Sequence, residues 1–331
     1  MMEQLISAFP KQIKEAIEIS GKLSLSLSKK DINQVIIVGM GGSGIGGDFV
    51  QSILFDECPV PIMVVKGYEL PAFIQSNTLV LISSYSGNTE ESLSALQIAL
   101  QKKCQIVCLS SGGTLLQEAQ INKLPHVLIP PGWPSPRACL GYSMVLQLAV
   151  LQKYNLSKTS LLDYFFIASD LIKFEQDEIK TKAKAIAKQL LDKTIVIYST
   201  DRYEPVALRF RQQLNENSKV LCWHHVFPEM NHNELVGWGE NSSIAVLFLR
   251  NKDELKLNVQ RMDICKKIIA AKTNTFIEIF SKGQHKIEKM IYMIHLIDWI
   301  SFYLAEWKKI DPNEIKVIDF LKSSLEKNRI V

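Results

Sequence analysis

Short, continuous apolar runs alternate with helical patterns along the first half of the chain. The runs that predict strands are QVIIVG (34–39), PIMVVK (61–66), TLVLISS (78–84), QIVCLSS (105–111) and HVLIPP (126–131). Strands that are apolar on both faces are typical of a parallel sheet covered by helices on both sides. The alternation with helices therefore predicts βαβ units and an α/β fold.

The second half of the chain repeats this pattern. Its predicted strands are TIVIYS (194–199), KVLCWHH (219–225), SIAVLFLR (243–250) and TFIEIFS (275–281), and a long apolar helix over 286–306 follows. We therefore expect two doubly wound parallel-sheet domains of the flavodoxin-like type, with helices on both faces.

The same pattern predicts the division of the chain. Residues 1–155 would hold an N-terminal amphipathic helix and the first domain, and residues 156–190 a helical connector. Residues 191–331 would hold the second domain and a final short helix that starts after Pro312.

Composition narrows the class of protein. The 331 residues are 47% hydrophobic and 22% charged, with a formal net charge of +4 that is not gathered into blocks. This balance gives no ground for a nucleic-acid or membrane partner. The six cysteines form no CxxC pair and often lie in apolar runs, as free thiols in a reducing compartment do. With no signal pattern and no apolar run of membrane-spanning length, we expect a cytoplasmic protein.

A glycine-rich loop, GMGGSGIGGD (39–48), follows the first strand and opens a helix. A dinucleotide-binding loop would pair its G-x-G-x-x-G with an acidic residue at the end of the second strand, where Lys66 stands. No Gly-Lys-Ser/Thr sequence follows either, which excludes a Walker A loop. We expect no cofactor, and glycines that let the backbone approach a ligand at a helix N-terminus. A tight turn without a ligand is the alternative.

A second candidate turn, SSYSGNTEES (83–92), places Ser84, Ser86 and Thr89 around Gly87. Hydroxyl donors and the positive end of a helix suit a phosphate dianion. The alternative is that Thr89 merely caps the helix while Ser86 and Gly87 form the turn. The glycine-rich loop should leave a neighbouring strand at the same edge of the sheet, which favours phosphate binding.

These two loops and four further segments resemble a known family. The further segments are PSPRACLGYS (134–143), NENSK (215–219), PEMNHNELVGW (228–238) and the ending that runs from DP to IDFLK (311–322). Together they are similar to SIS-domain sugar isomerases and, more narrowly, to the bifunctional phosphoglucose/phosphomannose isomerases. The resemblance implies two SIS domains and a metal-independent aldose–ketose isomerase. It would interconvert glucose 6-phosphate, and mannose 6-phosphate as a second aldose, with fructose 6-phosphate through an enediolate.

The resemblance also implies roles for individual residues. The substrate phosphate would be bound by Gly42, Ser43, Ser84, Ser86, Gly87 and Thr89. Glu216 would be the base that moves the proton between C2 and C1, whereas by itself it suggests a solvated carboxylate at a helix end. Arg137 would stabilise the enediolate oxygens, the alternative being a salt-bridged surface arginine.

Two further roles concern ring opening. His232 would perform it from the neighbouring subunit, since an imidazole can both donate and accept near neutral pH. That implies a homodimer whose active site is shared between subunits; a surface or capping histidine is the alternative. Lys322 would assist in ring opening or enediolate stabilisation. The segment before it is less proline-rich than the family pattern, and Lys316 lies nearby.

Other functions are weighed against this one. Some unrelated phosphomannose isomerases use zinc, but adjacent His224 and His225 on a strand point to opposite faces, and no HxH or HExxH pattern occurs, so we expect no metal. A DNA-binding sensor would carry a helix-turn-helix and an aminosugar synthase a glutaminase domain, and we expect neither, because the roughly 30 residues before the first strand are too few for a helix-turn-helix and show no nucleophilic cysteine at their start. A non-catalytic sugar-phosphate-binding SIS protein, or an isomerase of another phosphosugar, stays open. Glu216 distinguishes an isomerase from a binding protein, because a binding protein has no use for a carboxylate near the C1–C2 bond of the sugar.

Overall fold

The structure is a computed structural model that describes residues 1–25, 31–157 and 161–327. The chain divides into two compact units. We call Ser7–Gln176 with Ser281–Met293 the N-terminal unit, and Met1–Ile6, Asp177–Phe280 and Ile294–Val331 the C-terminal unit. Each has its own parallel sheet, which confirms the predicted fold class. The predicted domain boundaries near residues 155 and 190 stay predictions.

The strands and helices follow the predicted alternation. The strands are β1 (Gln34–Val38), β2 (Ile62–Val65), β3 (Thr78–Ser83), β4 (Gln105–Ser110), β5 (His126–Leu128), β6 (Thr194–Thr200), β7 (Cys222–Phe227), β8 (Ile244–Arg250) and β9 (Thr275–Phe280). The helices are α1 (Met2–Ser7), α2 (Phe9–Gly21), α3 (Gly41–Leu54), α4 (Glu90–Gln101), α5 (Gly113–Ile121), α6 (Leu140–Lys153), α7 (Leu162–Phe174), α8 (Gln176–Gln189), α9 (Glu204–Ser218), α10 (Lys256–Ala270), α11 (Lys286–Trp307) and α12 (Lys316–Lys327).

The sheet of the N-terminal unit has the strand order β2-β1-β3-β4-β5. All of its neighbouring strands are parallel, and Val38 at the end of β1 pairs with Ile82 near the end of β3. This is the flavodoxin-like order, in which the connections leave β1 and β3 in opposite directions. Ligands bind in the crevice that opens at this switch point, so the loops after β1 and β3 border the expected site.

The C-terminal unit has a four-stranded parallel sheet with the order β7-β6-β8-β9. It repeats the first sheet without a fifth strand. Instead of an α-helix, residues 228–243 connect β7 to β8 through two short 3-10 turns, Glu229–His232 and Glu234–Gly237. Buried Met230 packs this connection onto the apolar face of the sheet, beside Phe227 and Phe248.

The strand predicted from residue 219 begins instead at Cys222. Helix α9 continues to Ser218, and Lys219 then takes a left-handed conformation with φ of 52°. The Val220 N–H donates to the Leu214 carbonyl, which closes the helix as a left-handed C-terminal residue commonly does. The apolar residues after Lys219 therefore finish the helix before the strand starts.

Hydrogen bonds from a buried polar face hold α9 against α11 within the C-terminal unit. Arg209 forms a bidentate ion pair with Asp298, with Nη2–Oδ2 at 2.7 Å and Nε–Oδ1 at 3.1 Å. Gln213 donates to the same carboxylate at 3.0 Å. Nearer the helix end, Asn217 donates to the Ser301 hydroxyl at 2.9 Å. These bonds fix the last turn of α9, which carries Glu216.

No helix in the described ranges is long and apolar enough to cross a membrane.

The buried ion pair makes a stability prediction. Replacing one partner, as in Arg209→Met, leaves the Asp298 carboxylate buried and uncompensated, so unfolding should become easier by ~3–5 kcal/mol. Urea denaturation followed by circular dichroism would measure this change. The double variant Arg209→Met/Asp298→Leu is the control and should recover most of the loss, because an apolar pair of similar volume can replace a buried ion pair. A single variant as stable as the wild type would contradict the prediction.

Candidate functional site

The loop after β1 forms a helix N-terminus without a side-chain cap. Helix α3 begins at Gly41, its N-cap residue is Met40, and Met40 makes no side-chain cap hydrogen bond. The first turn of α3 contains no acidic residue. The first N–H groups of a helix have no partner within the helix and carry its positive partial charge. The start of α3 is therefore suited to an anion.

Glycine is required here because another segment packs closely on α3. A Cβ at Gly42 would lie 2.9 Å from the Pro136 carbonyl oxygen and 3.4 Å from the Arg137 Cα. A Cβ at Gly46 would lie 2.1 Å from the Ser143 hydroxyl. We call the short 3-10 turn Pro136–Ala138 the arginine turn. Gly42 thus lets the arginine turn, and Gly46 lets α6, pack closely on the start of α3.

The turn after β3, residues 84–89, is here named the serine turn. The hydroxyl oxygens of Ser84 and Thr89 lie 2.9 Å apart. Thr89 is the N-cap residue of α4 but makes no side-chain cap hydrogen bond. Gly87 has φ of 71°, and a Cβ there would lie 1.9 Å from the Gly112 carbonyl oxygen. Only glycine fits that position.

The serine turn satisfies part of its own polar backbone. The Gly87 N–H donates to both the carbonyl and the hydroxyl oxygen of Ser84, each at 3.1 Å. The Asn88 N–H donates to the Ser86 hydroxyl at 3.3 Å. Glu90 and Glu91 also complement the positive end of α4. The start of α3 is thus the stronger candidate for binding an anion, while the serine turn offers hydroxyls. Gly87 as an N–H donor to phosphate stays a prediction that competes with these bonds.

Ser43 lies in the first turn of α3, and a buried amide on α6 holds its carbonyl. Its side chain is nearly buried, and its carbonyl accepts from Gln147 Nε2 at 3.0 Å and from the Ser143 hydroxyl at 3.4 Å. Gln147 also donates to the Ser143 hydroxyl at 2.9 Å. Two side chains of α6 therefore fix the peptide at the start of α3.

Arg137 is 6% exposed, which rules out the alternative of a surface arginine. It lies in the arginine turn, against Gly42 and directly before α6. Within the N-terminal unit the structure thus brings Arg137 together with the glycine-rich loop, and the pairing of β1 with β3 places the serine turn at the same edge of the sheet. A buried cation beside two loops of N–H and O–H donors can bind an anionic substrate.

Glu216 lies in the last turn of α9, in the C-terminal unit, and is half-buried. The residues that follow it are anchored, since the Ser218 hydroxyl donates to the Ser301 carbonyl at 2.6 Å. The Lys219 ammonium donates to the Glu216 carbonyl at 2.6 Å, as expected for a cation at a helix C-terminus. The helix end predicted for Glu216 is confirmed, and its role as the base stays a prediction.

His232 is exposed at the end of a 3-10 turn, in a loop that is held on its C-terminal side. Glu234 accepts hydrogen bonds from Trp223 Nε1 at 3.1 Å and from the Tyr198 hydroxyl. Trp238 Nε1 donates to Tyr198 at 3.0 Å. Burial and the Glu234 carboxylate raise the pKa of Tyr198, so this phenol stays neutral and donates. His232 is therefore an exposed side chain on a loop whose C-terminal part is anchored by hydrogen bonds.

The other histidines of this segment lie on β7. His224 and His225 are both half-buried, and His224 Nε2 lies 3.6 Å from a carboxylate oxygen of Glu204. Among residues 1–25, 31–157 and 161–327, no three His, Cys, Asp or Glu side chains converge as metal ligands would.

Lys322 is exposed on α12 of the C-terminal unit, and its role stays a prediction. Lys316 forms an ion pair with Glu314 at 2.9 Å. Helix α12 also exposes apolar side chains, which are Val317, Ile318, Phe320, Leu321 and Leu325.

Sequence reasoning did not identify the buried amides that hold the site, Gln12 and Gln147. A signal for Gln12 was present. It falls on the apolar face of α2, in step with Phe9, Ile13 and Ala16, where a polar residue needs buried partners. Gln147 gave no such signal, because α6 is buried nearly all round.

The chain is similar to known proteins along nearly its whole length. The model of the SIS domain matches residues 27–152, and the model described as the bacterial phospho-glucose isomerase C-terminal SIS domain matches residues 179–325. A bifunctional phosphoglucose/phosphomannose isomerase from Caldicellulosiruptor bescii is 37% identical, over 98% of both chains. One from Aquifex aeolicus is 34% identical, over 89% of this chain and 91% of the relative.

A solved structure shares the fold at low identity. The C-terminal domain of glucosamine-fructose-6-phosphate aminotransferase from Francisella tularensis superposes with a TM-score of 0.79 at 16% identity, covering 95% of this chain and 98% of that one. The identities to the two isomerases, over nearly the whole chain, are what decide the family. This chain belongs to the family of bifunctional phosphoglucose/phosphomannose isomerases.

Proposed function

We propose that this chain is a metal-independent aldose–ketose isomerase that interconverts glucose 6-phosphate and mannose 6-phosphate with fructose 6-phosphate. The observation that carries the proposal is the buried Arg137 packed against Gly42, at an uncapped helix start beside the serine turn. This arrangement occurs in a chain whose relatives are named for isomerising both phosphosugars.

The first step is to anchor the phosphate. The N–H groups at the start of α3, together with Ser43, would bind phosphate oxygens, and the hydroxyls of Ser84, Ser86 and Thr89 would donate to the others. The facing hydroxyls of Ser84 and Thr89 can each rotate to donate to an anion. Holding the unreactive end of the sugar fixes the position of the reacting carbons.

The chemical steps then open the ring and move protons from C2 to C1. Glu216 takes the carbon proton from C2 of the aldose and returns it to C1 of the enediolate, while the hydroxyl proton on O2 moves to O1, which gives the ketose. Arg137 stabilises the negative charge that develops on the enediolate oxygens. Both C2 epimers reach the same enediolate, provided that the substrate rotates about C2–C3 or the base accepts either face.

We further propose a homodimer in which the partner subunit's His232 opens the sugar ring, assisted by Lys322. The outward position of His232 on an anchored loop supports this, because an exposed imidazole can reach a neighbouring molecule. The apolar side chains that α12 exposes also favour association with a second copy. The six cysteines are free thiols, which fits the cytoplasmic location that we propose.

The role of the base is tested by a coupled assay with both hexose 6-phosphates in the presence of EDTA. Glu216→Gln keeps the shape of the side chain but cannot take a proton, so kcat should fall roughly 10²–10⁴-fold. Glu118→Gln, on the half-buried face of α5, is the matched control and should keep wild-type kcat. A fully active Glu216→Gln would remove the base from the mechanism, and loss of wild-type activity in EDTA would contradict metal independence.

The phosphate anchor is tested by Thr89→Val. This change removes a hydroxyl while keeping the shape, and α4 loses no cap because Thr89 makes no cap bond. A hydrogen bond to a charged group is worth about 1.5–3 kcal/mol, so KM for fructose 6-phosphate should rise roughly 10-fold or more. Thr181→Val, whose hydroxyl donates to a carbonyl within α8, is the control and should leave KM unchanged. An unchanged KM in Thr89→Val would argue against phosphate binding at the serine turn.

The shared site is tested by subunit complementation. Glu216→Gln and His232→Asn chains should each be inactive alone. Co-expressed, they should form mixed dimers that contain one intact site, with up to about a quarter of wild-type activity, because half the dimers are mixed and one of their two sites is whole. Sedimentation analysis would establish the dimer. Activity of the mixture no higher than the mean of the two variants would contradict a site shared between subunits.

A further inference from the structure

Helix α2 carries a carboxamide on its apolar face. Gln12 is fully buried, as are Phe9, Ile13 and Ala16 on the same face of the helix. Transfer of an amide from water into an apolar interior is costly unless its hydrogen bonds are replaced. The hydrogen-bond partners of this amide therefore indicate its structural role.

Both ends of the Gln12 carboxamide bind the segment that contains Arg137. Its Nε2 donates to the Ala138 carbonyl at 2.8 Å, and its Oε1 accepts from the Gly141 N–H at 2.7 Å. Ala138 ends the arginine turn, and Gly141 lies in the first turn of α6. One side chain thus bridges the arginine turn, which contains Arg137, and the helix that follows it.

The acceptor end also substitutes for a missing helix cap. Cys139, the N-cap residue of α6, makes no side-chain cap hydrogen bond. The Gly141 N–H is one of the first-turn donors that an α-helix leaves unpaired, and Gln12 supplies its acceptor from another helix. A Cβ at residue 141 would lie 2.7 Å from Gln12 Oε1, so glycine at this position belongs to the same arrangement.

Bonds within the segment fix the shape of the arginine turn but not its placement. The Ala138 N–H donates to the Ser135 carbonyl at 2.9 Å, and the Cys139 N–H donates to the Pro136 carbonyl at 3.0 Å. Both bonds join residues of the same short loop. The bridge from Gln12 comes from a separate helix that packs on α6, so it ties the turn to the rest of the unit.

We propose that Gln12 is a positioning residue that sets the location of Arg137 in the active site. The inference rests on the proposed function of Arg137 in stabilising the enediolate. A cation that acts mainly in the transition state changes kcat more than KM. A displacement of about 1 Å at the reacting centre can lower the rate by ~100-fold. Loss of the bridge should therefore lower kcat by ~10–100-fold and leave KM within about threefold of the wild type.

A double-mutant cycle tests this inference. Gln12→Met keeps the volume of the side chain and removes both hydrogen bonds, and Arg137→Gln removes the cation. If Gln12 acts through Arg137, Gln12→Met should lower kcat in the wild-type background but have no further effect in Arg137→Gln. Additive losses in the double variant would overturn the inference. Wild-type kcat in Arg137→Gln would instead refute the proposed role of Arg137, so the two failures are distinguishable.

A control and a second variant keep the test decisive. Gln51, on α3, donates to the Ile62 carbonyl at 2.6 Å, and Gln51→Met should keep wild-type kcat. Should Gln12→Met not fold, Gln12→Glu replaces it. A buried, protonated Glu can donate to the Ala138 carbonyl, whereas the ionised form cannot. Relative to the wild type, its kcat should therefore fall as pH rises through the pKa of the new carboxyl group. A kcat ratio that stays constant across pH would overturn the inference.

Discussion

The parallel pairing of β1 with β3 is the constraint on which the candidate site depends. Because the two strands run in the same direction and lie side by side, both end at the same edge of the sheet. The helices that follow them therefore begin there, with their N–H groups at one crevice. The glycine-rich loop follows from this placement, since α3 must start where the arginine turn packs, and only Gly42 leaves room for the Pro136 carbonyl. Strand order and glycine placement therefore form the candidate anion site together.

The C-terminal unit shows that this strand order alone does not make an anion site. In the corresponding place, after β6 and β8, Glu254 accepts hydrogen bonds from Thr200 at 3.2 Å and from Asn251 at 3.0 Å. Burial raises the pKa of this carboxyl group, and its oxygen already takes the hydroxyl and amide donors that an anion would need there. The residues proposed for catalysis from this unit lie elsewhere, with Glu216 at the end of α9 and His232 in the loop after β7. In the proposed mechanism one unit anchors the phosphate and the other supplies the acid–base groups.

The sequence allowed the strands, the sheet class and both loops to be predicted, because continuous apolar runs and clustered glycines are local signals. It placed the start of β7 too early, since the left-handed Lys219 that closes α9 interrupts an apolar pattern that otherwise reads as strand. It also left open whether Thr89 caps α4 and whether Arg137 lies at the surface. Both questions depend on contacts between residues far apart in the chain, such as Gln12 with Ala138, and periodicity carries no information about those.

The chemical type of the side chains that hold the site follows from its electrostatics. The backbone of the proposed site is fixed by carboxamides, with Gln12 bonded to Ala138 beside Arg137 and Gln147 bonded to Ser43. A carboxylate in either place would compete with the substrate for Arg137 or repel the phosphate dianion, and in a partly buried site two charges about 4 Å apart interact by ~4 kcal/mol. An ammonium group could not accept a hydrogen bond from the Gly141 N–H. A neutral amide can both donate and accept a hydrogen bond without adding charge. It can therefore hold the site rigid while Arg137 and the helix N-terminus determine the electrostatic field there.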